Sequence, residues 1–232
     1  MQRYFSSKKE NNLFTLSSND MYHIKKVMRM KPNDTIEVVY DESLYICTLD
    51  SDYNVVISDY INKDNTKTKH ITLCIPLLSD QKFSFILQKA TELGVDEIIP
   101  VMTNRSIAKI NDVDKKLTRW NSICKEASEQ SKRLDIPSIS TIKKIDDLSI
   151  SGLKIVCSTK ENLKTIKNVL QNNTKCDKMV LMVGPEGGLE DVEEEKLVNL
   201  GFIPVTLGKN ILRVETVPIY LLSIINYLEL EW

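Results

Sequence analysis

Hydrophobic and polar positions change rhythm once along this chain. Up to residue 61 the apolar residues fall in short β-rich runs, Thr35–Tyr40, Leu44–Leu49 and Tyr53–Ile61, parted by turn residues. One helix interrupts them. Ile24, Val27 and Met28 share one face at helical spacing, Ser18 or Asn19 supplies a cap, and Lys31-Pro-Asn-Asp34 carries the turn chemistry that stops it. This set predicts a small β-barrel. The polar stretch Asn62-Lys-Asp-Asn-Thr-Lys-Thr-Lys69 offers nothing to a core and marks a domain boundary.

From Ile71 onward strand-like and helix-like runs alternate. Strands are predicted at Ile71–Pro76, Val95–Met102, Leu153–Ser158, Met179–Val183 and Phe202–Leu207. A helix over 82–93 places Phe83, Ile86, Leu87, Ala90 and Leu93 on one face and stops at Gly94. A second carries the stripe Leu117, Trp120, Cys124, Ala127 and Leu134. The acid-rich start Glu190-Asp-Val-Glu-Glu-Glu195 suits a helix N-terminus, where the macrodipole favours negative charge, and Gly201 ends that helix. Alternation of this kind predicts an α/β fold with a parallel sheet covered on both faces. The final helix, Val217–Leu228, is apolar nearly all round: it is either a core helix or a core helix that also meets a second subunit. Thr216 is placed to cap it, with Pro218 tolerated in its first turn.

Two glycine-turn loops sit at strand ends in this second region. Val183-Gly-Pro-Glu-Gly-Gly188 is followed, about twenty residues on, by Leu207-Gly-Lys-Asn-Ile-Leu-Arg-Val-Glu-Thr216. In the first, Pro185 stiffens the turn, and Gly187 and Gly188 permit positive φ and close approach of backbone to a ligand. In the second, apolar side chains flank the turn. Together they suggest a site for a flat ring held by apolar walls and a few backbone hydrogen bonds. Neither a G-x-G-x-x-G nor a G-x-x-x-x-G-K-[ST] motif is present, which argues against dinucleotide and P-loop chemistry.

Composition narrows the classes further. The 232 residues, 42% hydrophobic and 27% charged, are those of an ordinary globular protein, and no apolar run approaches the roughly eighteen residues of a membrane span. The opening residues lack the apolar core of a secretion signal, so a cytoplasmic protein is expected. Five scattered cysteines argue for reduced thiols. With only His23 and His70, neither a zinc site nor a Ser-His-Asp triad is expected. The net charge of −1 hides a basic first segment: residues 1–33 hold seven basic residues against two acidic. That asymmetry leaves an RNA contact open.

The two loops resemble those of the RsmE family, SPOUT-class methyltransferases of 16S ribosomal RNA, which share a G-P-E-G-G loop and an L-G-x-x-I-L-R-x-E-T segment opening the last helix. Lys89-Ala-Thr-Glu-Leu-Gly-Val95, Asn104-Arg-Ser106, Glu126-Ala-Ser-Glu-Gln-Ser-Lys-Arg133 with Ile136-Pro137, Arg3-Tyr-Phe5 and His23…Val27-Met-Arg29 are similar to the family as well. The resemblance spans the whole chain in order. It departs at Asn210, where the family often has an arginine, and at Ser84, where an acidic residue is common.

The resemblance implies a PUA-like RNA-binding β-barrel over residues 1–68 and a SPOUT domain over 69–232 whose last third forms a trefoil knot. It implies S-adenosyl-L-methionine as cofactor, no metal, a homodimer, and the small ribosomal subunit as partner. The reaction implied is methylation at N3 of one uridine in the decoding region. Cofactor contacts then fall to Thr159, Val183, Gly184, Pro185, Glu186, Gly187, Gly188, Leu207, Gly208, Asn210, Ile211 and Leu212. Arg105 and Arg213 are candidates to stabilise charge developing on the base, with Arg105 meeting the knot across the dimer. Glu186 or Glu215 is the candidate to take a proton or orient an arginine. Arg3, Lys25, Lys26, Arg29 and Arg133 are candidate RNA contacts, of the kind that position phosphates without reading bases.

Overall fold

A computed structural model describes residues 1–61, 69–106 and 112–229; the polar stretch read as the domain boundary lies almost wholly outside them. The chain forms two compact units, one of Met1–Thr66 with Lys125–Ile136, the other of Lys67–Cys124 with Pro137–Trp232.

The first unit is built on a six-stranded mixed sheet in the order β1-β4-β5-β6-β3-β2. Its strands are β1 (Arg3–Phe5), β2 (Lys8–Glu10), β3 (Leu13–Thr15), β4 (Thr35–Tyr40), β5 (Ser43–Leu49) and β6 (Val55–Ile61). β1 runs parallel to β4, and the other neighbours are antiparallel. The β4–β5 hairpin turns on Asp41 and Glu42, both at positive φ, the backbone that two-residue hairpin turns need to match strand twist. A register shift between Ile46 and Cys47 bends β5 against β6. Tyr4, Phe14, Ile24, Ile36, Val38, Cys47, Leu49 and Val55 form the core.

The helix of this unit differs from its sequence reading. Ser17, not Ser18 or Asn19, caps α1 (Ser18–Tyr22) by accepting from the Asp20 N–H, and the chain then widens into a π-turn over His23–Val27. The wider turn moves residues off the four-residue stacking of an α-helix. Ile24 is fully buried, whereas Val27 and Met28 are exposed at 57% and 39%. The segment Lys125–Ile136, which a linear division gives to the C-terminal region, packs with this sheet: Leu134 is buried with Val39 and Leu44.

The second unit is a parallel sheet in the order β10-β8-β7-β12-β11-β13, with β9 also pairing β8. Its strands are β7 (His70–Pro76), β8 (Glu97–Met102), β9 (Ser138–Ile139), β10 (Lys143–Lys144), β11 (Leu153–Cys157), β12 (Lys178–Met182) and β13 (Ile203–Val205). The helices are α2 (Asp80–Glu92), α3 (Val113–Gln130), α4 (Ile166–Asn172), α5 (Asp191–Asn199) and α6 (Thr216–Glu229). Ile71 to Pro76 of β7 are all buried, as expected of a central strand covered on both faces. Against one face lie Leu148, Leu189, Leu197 and Phe202 with Cys74, Ile99, Val156, Val180 and Met182 of the strands. On α2 and α3, Phe83 and Trp120 meet ring to ring at 4.4 Å. α6 sits beside α2, and Asn226 donates to the Leu93 carbonyl at 2.9 Å, satisfying an acceptor at the end of α2. The stripe read through Leu134 is shorter than the sequence suggests, because α3 ends at Gln130 and Lys132 turns the chain at φ 62°. The fold is α/β, a curled amino-terminal sheet followed by a parallel sheet with its helices.

Candidate functional site

β12, β11 and β13 are adjacent parallel strands, and each feeds a loop at its carboxyl end. In open parallel sheets that is where ligands bind, because the loops fan out and leave a crevice. Here the three loops, 158–165, 183–190 and 206–215, line one cleft of about 930 Å³. Backbone bonds tie the first and third loops together, Ser158 N–H donating to Val205 O at 3.0 Å and Thr206 N–H to Lys164 O at 2.8 Å, and Val183 N–H anchors the second to β7 by donating to Cys74 O at 3.1 Å.

Every residue that the sequence proposes for cofactor contact lines this cleft: Thr159 from the first loop, Val183 to Gly188 from the second, and Leu207, Gly208, Asn210, Ile211 and Leu212 from the third. The Pro185 carbonyl accepts from the Gly188 N–H at 2.8 Å, closing a tight turn. Only Gly188 of the glycine pair has positive φ, at 73°, which corrects the expectation for Gly187. At Gly187 a β-carbon would come 3.2 Å from Arg105 Cδ, a tight approach to which the arginine side chain would have to yield. At Gly188 and Gly208 a β-carbon would meet open space, and Ile211 stands 82% exposed in the same cleft. Bare backbone with an apolar side chain left in water is a cradle suited to a flat, partly apolar ligand.

Charges gather at this cleft from distant parts of the chain. Lys82 of α2 donates to Glu186 Oε1 at 2.8 Å and lies 3.8 Å from Glu215 Oε2. The Glu186 hydrogen bond holds the Lys82 ammonium above the ordinary lysine range, and nearby Arg213 opposes this. Glu215 Oε2 is buried and accepts no hydrogen bond. Arg105 donates to Gly187 O at 2.6 Å and approaches Glu190 Oε1 at 3.6 Å, so it meets the glycine loop of its own chain. Asn104 fixes that loop from beside it, through its N–H to Glu193 Oε1 at 2.7 Å and its Nδ2 to Glu190 Oε2 at 2.9 Å. Glu190 and Glu193 also form a capping box that starts α5. Burial pushes the Cys157 thiol, at the cleft, up to about 12, which keeps it a neutral and poorly nucleophilic group.

The arrangement joins Glu186, Glu215 and Arg213 at one cleft, and Arg105 contacts its glycine loop from outside the lining. It adds Lys82, which sequence reasoning missed because its partner Glu186 lies 104 residues away. The RNA candidates divide. Arg3 is 2% exposed, bonds Glu37 at 2.8 Å and the carbonyls of Lys132 and Arg133, and so serves the interior of the first unit. Arg133 pairs with Asp135 at 2.8 Å and is also largely covered. Lys25, Lys26 and Arg29 remain exposed around the π-turn, with Lys25 over the Tyr53 ring at 4.4 Å. Ser84 falls in the second turn of α2, and the acid of the first turn is Asp80, paired with Lys116 and Arg119. Nothing in the structure explains why Ser84 Oγ is buried without a partner.

A family model described as the RNA methyltransferase domain matches residues 65–226. Ribosomal RNA small subunit methyltransferase E of Mesomycoplasma hyopneumoniae is 35% identical over 96% of this chain and 98% of its own length. The chain belongs to the ribosomal RNA small subunit methyltransferase E family. The enzyme of that name from Bacillus subtilis is 29% identical across 98% of this chain and 96% of its own. The family's structure from Neisseria gonorrhoeae, solved bound to S-adenosyl methionine, aligns with a TM-score of 0.87 at 28% identity, covering 98% of each chain. As a member of this family the chain shares the SPOUT-class architecture that its glycine loops resemble. Among the described residues no helix is long and apolar enough to cross a membrane, and no cluster of His, Cys, Asp and Glu is arranged to hold a metal ion.

Proposed function

We propose that this chain transfers a methyl group from S-adenosylmethionine to N3 of one uridine in the decoding region of 16S ribosomal RNA. One observation carries the reading: the twelve residues that family motifs nominate for the cofactor, scattered from Thr159 to Leu212, line a single cleft at three parallel strand ends. The Neisseria relative's bound cofactor supports the choice of ligand. Open space beside Gly188 and Gly208 lets a ligand approach bare backbone, and Val183 and Leu212 offer it apolar walls.

S-adenosylmethionine supplies a methyl group that is already activated. The protein's work is therefore to deprotonate and orient the base. N3 of uridine carries a proton, and as it leaves, negative charge spreads onto O2 and O4. Arg213 at the cleft and Arg105 beside it are placed to stabilise that charge. The methyl donor and a carboxylate on the same cleft then need no metal ion.

The curled first unit is read as the PUA-like RNA-binding domain, with Lys25, Lys26 and Arg29 touching phosphates. The second is read as the SPOUT domain with its chain threaded as a trefoil knot through the loops of the cleft. A homodimer joined in part by α6 is supported by Tyr220, Tyr227 and Leu228, exposed at 39%, 66% and 56% on an otherwise apolar helix. A cytoplasmic location goes with this reading, since the small subunit is its substrate. The deciding experiment maps methyl marks on 16S ribosomal RNA from a strain lacking the gene, with and without the gene restored. A single N3-methyluridine that disappears and returns supports the reading; a mark on another base or another RNA refutes its finer part.

A further inference from the structure

Three carboxylates line the cleft, those of Glu186, Glu194 and Glu215, and Glu194 has the Lys160 ammonium at 3.4 Å. Glu186 receives the Lys82 ammonium at 2.8 Å. Glu215, on the loop that opens α6, has its Oε2 sealed from water without a hydrogen bond, 3.8 Å from the same ammonium. Its side chain keeps 20% exposure and lines the cleft. A buried acceptor left without a hydrogen bond is costly, and one on a carboxylate that lines a cleft calls for a reason, of which a catalytic role is one. The other charged groups near it are Arg213, two residues earlier, and Glu186, which shares the Lys82 ammonium and is neutralised by it.

We propose that Glu215 accepts the N3 proton of the substrate base and that Lys82 is its positioning residue, holding Glu186 aside and steadying the carboxylate pair from α2. The proposal rests on the methyl-transfer reading above. The balance is simple. The N3–H bond breaks and its proton passes to the Glu215 carboxylate. The freed N3 electron pair forms the new bond to the methyl carbon, and the electrons of the broken carbon–sulfur bond return to sulfur. Glu215 later releases the proton to water. Glu186, engaged by Lys82, is thereby left as a loop-anchoring group.

The test uses the full chain with E215Q, E186Q, K82M and K82R variants. Unmethylated small subunits or 16S RNA and radiolabelled S-adenosylmethionine report turnover, and calorimetry reports cofactor binding separately. E215Q should lose at least about a hundredfold in kcat, the scale of general-base removal, with cofactor affinity kept within about threefold. K82M should lower kcat more than it raises KM and move the acid limb of the pH–rate profile upward, and K82R should restore most of the rate. The 15Nζ resonance of Lys82, recorded without cofactor, should move in both E186Q and E215Q. An active wild type with an equally active E215Q overturns the proposal alone, as does a Lys82 resonance indifferent to E215Q. A K82M acid limb that stays in place overturns the role of Lys82. A wild type that binds cofactor yet methylates no RNA overturns the underlying reading, and this proposal with it.

Discussion

Single residues show both the reach and the limit of the sequence. Gly188 is legible because a strand end followed by paired glycines calls for positive φ, and its φ is 73°. A β-branched side chain there would carry backbone strain of at least about 1–2 kcal/mol and would also fill cleft space. Gly188→Val should abolish S-adenosylmethionine binding by calorimetry. Gly201, at φ 90° with equally open surroundings but away from the cleft, provides the control. Gly201→Val should lower stability and leave the affinity unchanged. Arg105 was placed near the chemistry by its motif, but its hydrogen bond to Gly187 O came only with the fold. That bond makes Arg105 a brace for the loop. Arg105→Ala should weaken cofactor binding about fivefold, near 1 kcal/mol for one half-exposed hydrogen bond, besides slowing methyl transfer. Unchanged affinity would confine Arg105 to the reacting base. Lys82 was illegible for a plain reason: an ion pair across 104 residues leaves no local pattern.

Elements were legible where an apolar period ran for several turns, where an acidic start and a closing glycine bounded a helix, or where a short apolar or β-rich run stood between turns. α2, α5, β4, β5, β7 and β12 follow from such signals. β1, β2 and β3 have three residues each, too few for a period of two to declare itself. The π-turn at His23–Val27 defeated a reading based on α-helical spacing, since its extra residue per turn is not encoded in apolar periodicity. Pairings between elements add a pH signature. Burial pushes Glu37 of β4 up, but hydrogen bonds from Lys132 and Arg3 outweigh it and hold the carboxyl below its ordinary value of 4.5. A lowered folded-state value gives stability that is present above 4.5 and lost as pH falls through the folded-state value. Glu129 runs the other way: burial raises it, so its cost in the folded state fades on acidification. Urea unfolding below pH 4.5 should therefore show the wild type losing stability more steeply than Glu37→Gln. Equal slopes would mean the network around Glu37 contributes nothing.

At the scale of the whole molecule, charge was legible as a basic first segment but not as a set of contacts. Arg3 and Arg133 are turned to internal work, and Lys25, Lys26 and Arg29 stay in solvent. If these three touch phosphates, replacing all three with alanine should weaken binding to 16S RNA uniformly across sequences. It should also reduce the slope of log affinity against log salt by about two to three, the share of three phosphate contacts. An unchanged slope would move the RNA surface elsewhere.

Because Lys125–Ile136 completes the first unit, that unit is finished only once synthesis has passed residue 136, long after its last strand, β6, has been made. Until then Arg3 has Glu37 but lacks the carbonyls of Lys132 and Arg133, and a cation so covered is poorly tolerated without its acceptors. A nascent chain stalled at residue 68 should stay sensitive to protease, and one released to residue 136 should become resistant. Translation thus orders assembly back to front: the segment made first is the one that waits.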